Sequence, residues 1–170
     1  MLYERHVEAG FLRKVSVMDK AVRRGAPLAR LIRDHENVSE YVENLEKILI
    51  FFYDGEAWET LKPIEAFFRR NVMAHFAFEE QTVFPALRSK IATPDVLTLL
   101  DELTKEHVPI LLLVREFMRL ASDRASAEDR EIRQKLYGTG REIVDKLQQH
   151  ASKEDERLLP LIRENLAVFT

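Results

Sequence analysis

The sequence predicts an all-α protein: an antiparallel up-down-up-down four-helix bundle with an N-terminal extension. Three observations carry this. Apolar residues recur at steps of three and four along four long segments, the period of one helix face. Only 5 Gly and 6 Pro are spread over 170 residues, too few turn formers for a many-stranded fold. The breaks between segments are short, so consecutive helices pack most simply as antiparallel neighbours.

The first stripe reads Leu28, Leu31, His35, Val38, Val42, Leu45, Leu49 and Phe52, and the Asp54-Gly55 break closes it. The second runs through Ile64, Phe68, Val72, His75, Glu79, Thr82 and Ala86 to about Leu87; its start lies between Ala57 and Pro63. Pro85 is expected to end or tighten its last turn. Thr93-Pro94-Asp95 reads as an N-cap, a first-position proline and a first-turn acid. It opens the third stripe: Val96, Leu100, Leu103, His107, Ile110, Val114, Phe117 and Ala121. Pro109 should leave the Lys105 carbonyl without its donor and kink this helix. The fourth is expected to open at Ser126, with Asp129 as a capping-box-like acid. It continues through Ile132, Leu136, Ile143, Leu147, His150, Glu154 and Leu161, with a bend at Gly138 and Gly140 and an end near Pro160. The bundle thus spans residues 28–165. Residues 1–27 mix Phe11, Leu12, Val15 and Val22 with Arg and Lys outside this pattern, and are read as an extension without assigned chemistry.

Composition removes several function classes. A net charge of -3 and a pI near 6.0 argue against nucleic acid as a partner. No run of 18 apolar residues exists and the first 30 residues hold no signal-like apolar stretch, so neither a membrane span nor export is expected and a cytoplasmic location is. With 0 Cys there are no disulfides, thiolate nucleophiles or cysteine-held clusters, so any metal must be held by His, Asp or Glu. The serines show no partnership with His and an acid, which leaves hydrolase chemistry unsupported.

The chemistry sits in a phrase that occurs twice: His75 with Glu79, Glu80 and Pro85, and His150 with Glu154, Asp155 and Pro160. On a helix, residues four apart lie about 40° apart around the axis and about 6 Å apart along it, so each His-x3-Glu pair aims at one point. A lone histidine precedes each pair, His35 by 40 residues and His107 by 43, which predicts a pseudo-twofold site between two halves. A single histidine on an apolar face is ordinarily a hydrogen-bonded core residue. Four on the inward stripes of four helices, two of them with a glutamate one turn on, are different. Burying them together without a cation would cost several kcal/mol per ion. The candidate ligands are therefore His35, His75, Glu79, His107, His150 and Glu154. Four imidazoles and two carboxylates without sulfur disfavour copper(I) and structural zinc and exceed the needs of one open ion, so two Fe ions are expected. With both glutamates bridging, His35 and His75 hold one iron and His107 and His150 the other, joined by an oxo or hydroxo bridge. Glu80, Asp155 and Glu156 are read as a solvated face, His6 as a surface residue, and Tyr53 and Trp58 as packing at a bundle end.

The order His, His-x3-Glu, His, His-x3-Glu on four helices, with the segment HFAFEEQTVFPAL, resembles the hemerythrin-like HHE cation-binding domain over about residues 28 to 165. Oxygen-carrying members have a fifth histidine one turn from the third, where this chain carries Leu103 and Leu111. The four-histidine, two-glutamate set is instead similar to di-iron proteins implicated in repairing iron-sulfur centres, which usually carry an additional cysteine-bearing N-terminal domain that this sequence lacks. The resemblance implies a non-heme di-iron protein that binds or reacts with a small oxidant (O2, NO or peroxide) in a stress response or in iron-centre repair. Its partners would be that diatomic or peroxide ligand and a redox partner or iron-sulfur protein. The alternative is an iron- or oxygen-sensing or iron-storage module without turnover.

Overall fold

The computed structural model describes residues 26–40, 42–43, 45–46, 64, 66–122 and 129–169, and every long element among them is helical. Helix α1 is helical at 26–40, 42–43 and 45–46; α2 runs over 66–90; α3 is Pro94–Ser122; α4 runs from Arg130 to Glu164 and is followed by a 3-10 turn, Leu166–Phe169. The Asp54-Gly55 break, the start of the second helix, Ser126, His6, Tyr53 and Trp58 lie outside the described residues, as does the extension except for residues 26 and 27, which are already helical.

The caps follow the side chains. Thr93 Oγ1 accepts from the Val96 N–H at 3.4 Å, with Pro94 in the first position and Asp95 in the first turn of α3. At α4 the cap is Asp129 itself: its extended backbone (φ -80°, ψ 116°) carries a carboxylate that accepts from the Glu131 and Ile132 N–H groups at 2.8 and 3.3 Å. The acid expected in the first turn is thus the residue that starts the helix. Asp129→Ala is expected to cost about 1 kcal/mol, read as a lower midpoint in urea unfolding.

The prolines inside the helices are accommodated in different ways. Helix α3 continues through Pro109, with buried side chains on both sides of it from Val96 to Leu120. Nor does α2 or α4 stop at its proline. Pro85 and Pro160 have no N–H, and in a regular turn their rings would strike the carbonyl four residues back. The turn ahead of each is widened instead: Glu79–Val83 and Glu154–Leu158 are π-helical, with the Phe84 N–H donating to the Glu79 carbonyl and the Leu159 N–H to that of Glu154. The helices then continue to Lys90 and Glu164. A further π turn, Phe68–Val72, lies where the Asn71 side-chain amide donates to the Phe67 carbonyl at 3.3 Å and competes for that acceptor.

The wide turns move the buried face by one residue. Beyond Glu79 the sequence stripe predicts Thr82 and Ala86, but Thr82 is exposed and Ala86 half-buried, and Val83, Phe84 and Leu87 are buried. Beyond Glu154 the same offset replaces Leu161 with Leu158, Leu159 and Ile162. Helix α4 is helical through Gly138 and Gly140.

Two apolar clusters result. One contains Val38, Val42, Phe68, Val72, Phe76, Ile110, Val114, Phe117 and Leu147, with Phe68 and Phe117 meeting edge to face at 5.7 Å. The other contains Leu31, Val83, Phe84, Leu87, Leu100, Leu103, Leu158 and Ile162. Along α1 the chain passes Leu31, then His35, then Val38; along α3, Leu103, His107 and Ile110. Along α2 and α4 the order is reversed, from Val72 through His75 and Glu79 to Val83, and from Leu147 through His150 and Glu154 to Leu158. The six polar side chains form one layer between two dry cores.

Candidate metal centre

All four helices deliver to that layer. His35 comes from α1, His75 and Glu79 from α2, His107 from α3, and His150 and Glu154 from α4, and none is more than 7% exposed. Within each His-x3-Glu pair the helix between the two residues is regular, and the wide turn begins at the glutamate. The periodicity that aims both side chains inward is therefore kept up to the carboxylate, and the distortion is placed beyond it.

The layer resolves into two groups whose donor atoms lie within 4.8 Å of one another: His35, His75, Glu79 and Glu154, and Glu79, His107, His150 and Glu154. Both carboxylates belong to both groups. Glu79 places Oε1 3.6 Å from His75 Nε2 and Oε2 3.2 Å from His107 Nε2. Glu154 places Oε2 2.8 and 3.6 Å from the Nε2 atoms of His35 and His75, and Oε1 3.4 Å from that of His150. Each glutamate thus turns one oxygen toward each histidine pair. The pairs are alike in shape: His35 and His75 meet edge-on at 5.1 Å and 65°, His107 and His150 at 4.9 Å and 70°.

The outer ring nitrogens show which way the lone pairs point. Nδ1 of His35 lies 2.8 Å from Asp155 Oδ1, that of His107 2.7 Å from Glu80 Oε1, and that of His150 2.9 Å from Glu106 Oε2; His75 Nδ1 faces Asp34 Oδ2 at 3.6 Å. An ionised carboxylate only accepts, so the bonds to His35, His107 and His150 favour a proton on Nδ1, and in the neutral rings they leave the Nε2 lone pair directed inward. The Nε2 atoms of His107 and His150 then face each other at 3.2 Å with no proton between them in the neutral tautomers. Both oxygens of Glu79 and of Glu154 and Nε2 of His35 are buried without an aligned hydrogen bond. Buried carboxylate oxygens without aligned hydrogen bonds, converging with imidazole nitrogens from four helices, form a sulfur-free donor set that fits metal ions.

Sequence reasoning missed the four outer acids, and Glu80 and Asp155 need correcting. Their side chains are 44% and 56% exposed, but each is bonded to a histidine of another helix. All four acids sit next to a candidate ligand in the chain: Asp34 and Glu106 precede the lone histidines, Glu80 and Asp155 follow the glutamates. That adjacency was the available signal. The arrangement repeats across the halves, for Asp34 also pairs with Arg30 at 3.4 Å and Glu106 with Lys153, whereas among the described residues Glu80 and Asp155 have only their histidines as charged partners. Glu80→Gln is expected to lower metal affinity about 10–100-fold by competition titration. Glu156→Gln, at the exposed neighbour, should leave it unchanged.

The charges of the metal-free layer pull in opposite directions. Burial, and the facing charge of Glu154, push the Glu79 carboxyl well above its usual range. Burial also opposes ionisation of Glu154, but His150, His35 and His75 outweigh it and hold that carboxyl well below the usual range. Burial works against charging His75, yet the Asp34 and Glu154 carboxylates overcome it and lift the imidazole to about 9. His107 falls to about 4, because burial and the charge of His150 outweigh the pull of Glu80. It is also stacked on Phe76 at 3.9 Å and 9°.

A small void of about 10 Å³ adjoins the layer, walled by Val38, Val72, Phe76 and Leu147 and by His35, His75, His150 and Glu154. It has room for about one water-sized molecule.

No curated protein and no solved structure matches the chain. The family model of the hemerythrin HHE cation binding domain does match, over residues 26–162, a span that holds all six buried ligand candidates and the four acids behind them. The chain belongs to the hemerythrin HHE cation-binding domain family.

Proposed function

We propose that this protein is a cytosolic, non-heme di-iron protein that binds or reacts with a small oxidant such as O2, NO or peroxide. The observation that carries it is the division of the two carboxylates, each with one oxygen toward each histidine pair. In this reading His35 and His75 hold one iron, His107 and His150 the other, and Glu79 and Glu154 are shared. Bound iron supplies redox chemistry and positions for a small ligand. The protein's own residues orient the imidazoles through the Asp34, Glu80, Glu106 and Asp155 carboxylates. Val38, Val72, Phe76 and Leu147 form the apolar side of the adjoining void, facing His35, His75, His150 and Glu154.

The helices in this proposal run up-down-up-down. The opposite order in which α1 and α3, against α2 and α4, pass the two cores supports it. No described helix is long and apolar enough to cross a membrane, in keeping with a role away from lipid. A stress response or the repair of iron centres, with an iron-sulfur protein or a redox protein as partner, is the physiological setting we favour.

Elemental analysis of the purified protein tests the site, and visible absorption tests the chemistry. Iron at about two atoms per chain, with a band that changes on adding dithionite, oxygen or NO, is the expected result. A colourless form indifferent to all three would sink it. The orphaned buried carboxylates favour a second reading, an iron or oxygen sensor or a store, in which metal chiefly holds the fold together. Its mark would be a large structural response to chelation with no ligand-dependent spectral change in the iron form.

A further inference from the structure

Among the described residues, two hollows reach the buried layer from outside, and they differ in charge. One is an open groove of about 550 Å³ between α1 and α4; the other is a pocket of about 90 Å³ between α3 and α4. The His35 ring lines both the groove and the inner void, so it is the partition between them. His150 plays the same part between the small pocket and the void.

The groove is acidic. Glu36, Glu40 and Glu43, all exposed, stand four and three residues apart and form a row about 10 Å long that leads along α1 to His35. Asp155 joins them from α4, and Arg163 is the one cation among the described lining residues. At the inner end stands a ring more than nine-tenths buried whose Nε2 has no aligned hydrogen bond and faces Glu154 Oε2. Asp155, 56% exposed and 2.8 Å from Nδ1, holds that ring from the groove side. The other hollow has no such row: Lys146 and the Glu106 carboxylate both line it, and Lys153 clamps that carboxylate, which holds His150.

We propose that the metal ions are loaded through the α1–α4 groove, where the Glu36, Glu40 and Glu43 row concentrates divalent cations and the His35–Asp155 pair acts as the door. This rests on the metal-centre reading. A row of like charges in a concave surface raises the local concentration and arrival rate of opposite charge, and added salt removes the effect. A cation reaching the end of the row meets the Asp155 carboxylate first. A swing of the half-free Asp155 side chain releases the ring and uncovers the orphaned Nε2 and carboxylate oxygens behind it. The α3–α4 side, with Lys146 and Glu106 in balance, offers a cation no such attraction.

The experiment uses the full chain stripped of metal and follows uptake of Co2+ by stopped-flow absorption. In low salt the Glu40→Gln/Glu43→Gln double variant is expected to load roughly tenfold more slowly than the unmodified protein. In about 0.5 M salt the two rates should converge. The final cobalt content and spectrum should be unchanged, since neither residue is a ligand. Ser39→Trp, which fills the groove without changing its charge, should slow loading at both salt concentrations, and Lys146→Gln at the other hollow should not slow it at all. Groove variants that load at the unmodified rate, or a Lys146→Gln protein slowed as much as they are, would overturn the route while leaving the metal centre standing. An unmodified chain that takes up no cobalt would overturn the metal-centre reading, and the route with it.

Discussion

Replacing Glu79 by Gln is expected to make the metal-free protein more stable at neutral pH and to abolish the binuclear site. Glu79 is fully buried and faces Glu154, so its ionised form is the costly one and its pKa is raised. The penalty is absent below the unfolded value of 4.5 and grows as pH rises above it. A glutamine amide carries no charge at any pH and can donate to a Glu154 oxygen or to Nε2 of His107, which the Glu79 carboxyl can do only while it keeps its proton. The gain should be about 1–3 kcal/mol at pH 8 and should fade toward pH 4. The metal-loaded form answers oppositely, since both donor groups lose a shared ligand and the content should fall to about one atom per chain or less. Thermal unfolding of chelator-treated proteins at both pH values, with elemental analysis of the loaded ones, checks the pair of signs. A metal-free Glu79→Gln protein less stable than its parent at pH 8 would refute the electrostatic account.

Removing metal from the unmodified chain should lower its stability by about 4 kcal/mol when free metal stands about a thousandfold above Kd. The loss should shrink as the solution is acidified. His107, at about 4, is already neutral at pH 7, whereas His75, lifted to about 9, must give up a proton before its Nε2 can serve as a ligand. Uptake at pH 7 therefore releases acid, and protons compete more strongly as pH falls. The metal-free form has its own dependence. The His75 contribution is fully present below 6.5 and is lost as pH rises through about 9. The Glu154 contribution is present above 4.5 and is lost as pH falls through its depressed value. The difference in Tm between loaded and chelated protein should thus widen from pH 5 to pH 9, with measurable proton release in weak buffer. A difference that is flat with pH would contradict it.

The ligand candidates were legible because helical periodicity is local. His75 and Glu79, four apart with regular helix between them, must share a face whatever surrounds them, and the lone histidines fell on stripes of three and four that the structure keeps. The outer acids were not legible by the same means. Glu80 does lie about 100° off the stripe, but that rotation turns it toward His107 on the next helix as well as toward water. Asp155 and His35 are 120 residues apart, and no helical repeat connects them. The prolines were misread for a related reason. Pro85 and Pro160 forbid one hydrogen bond each, which a chain can meet by stopping or by widening the turn, and the apolar side chains beyond them, Leu87 and Ile162 among them, favour continuing.

From residue order alone came the helical class, the six inward donors and their hard, sulfur-free chemistry, all consequences of a period that one helix imposes on its own side chains. Packing added which oxygen of Glu79 and Glu154 turns to which histidine pair, which acid holds each Nδ1, and the one-residue shift of the buried face past each glutamate. Those depend on distances between different helices, and such distances exist only once the two apolar cores have closed around the polar layer.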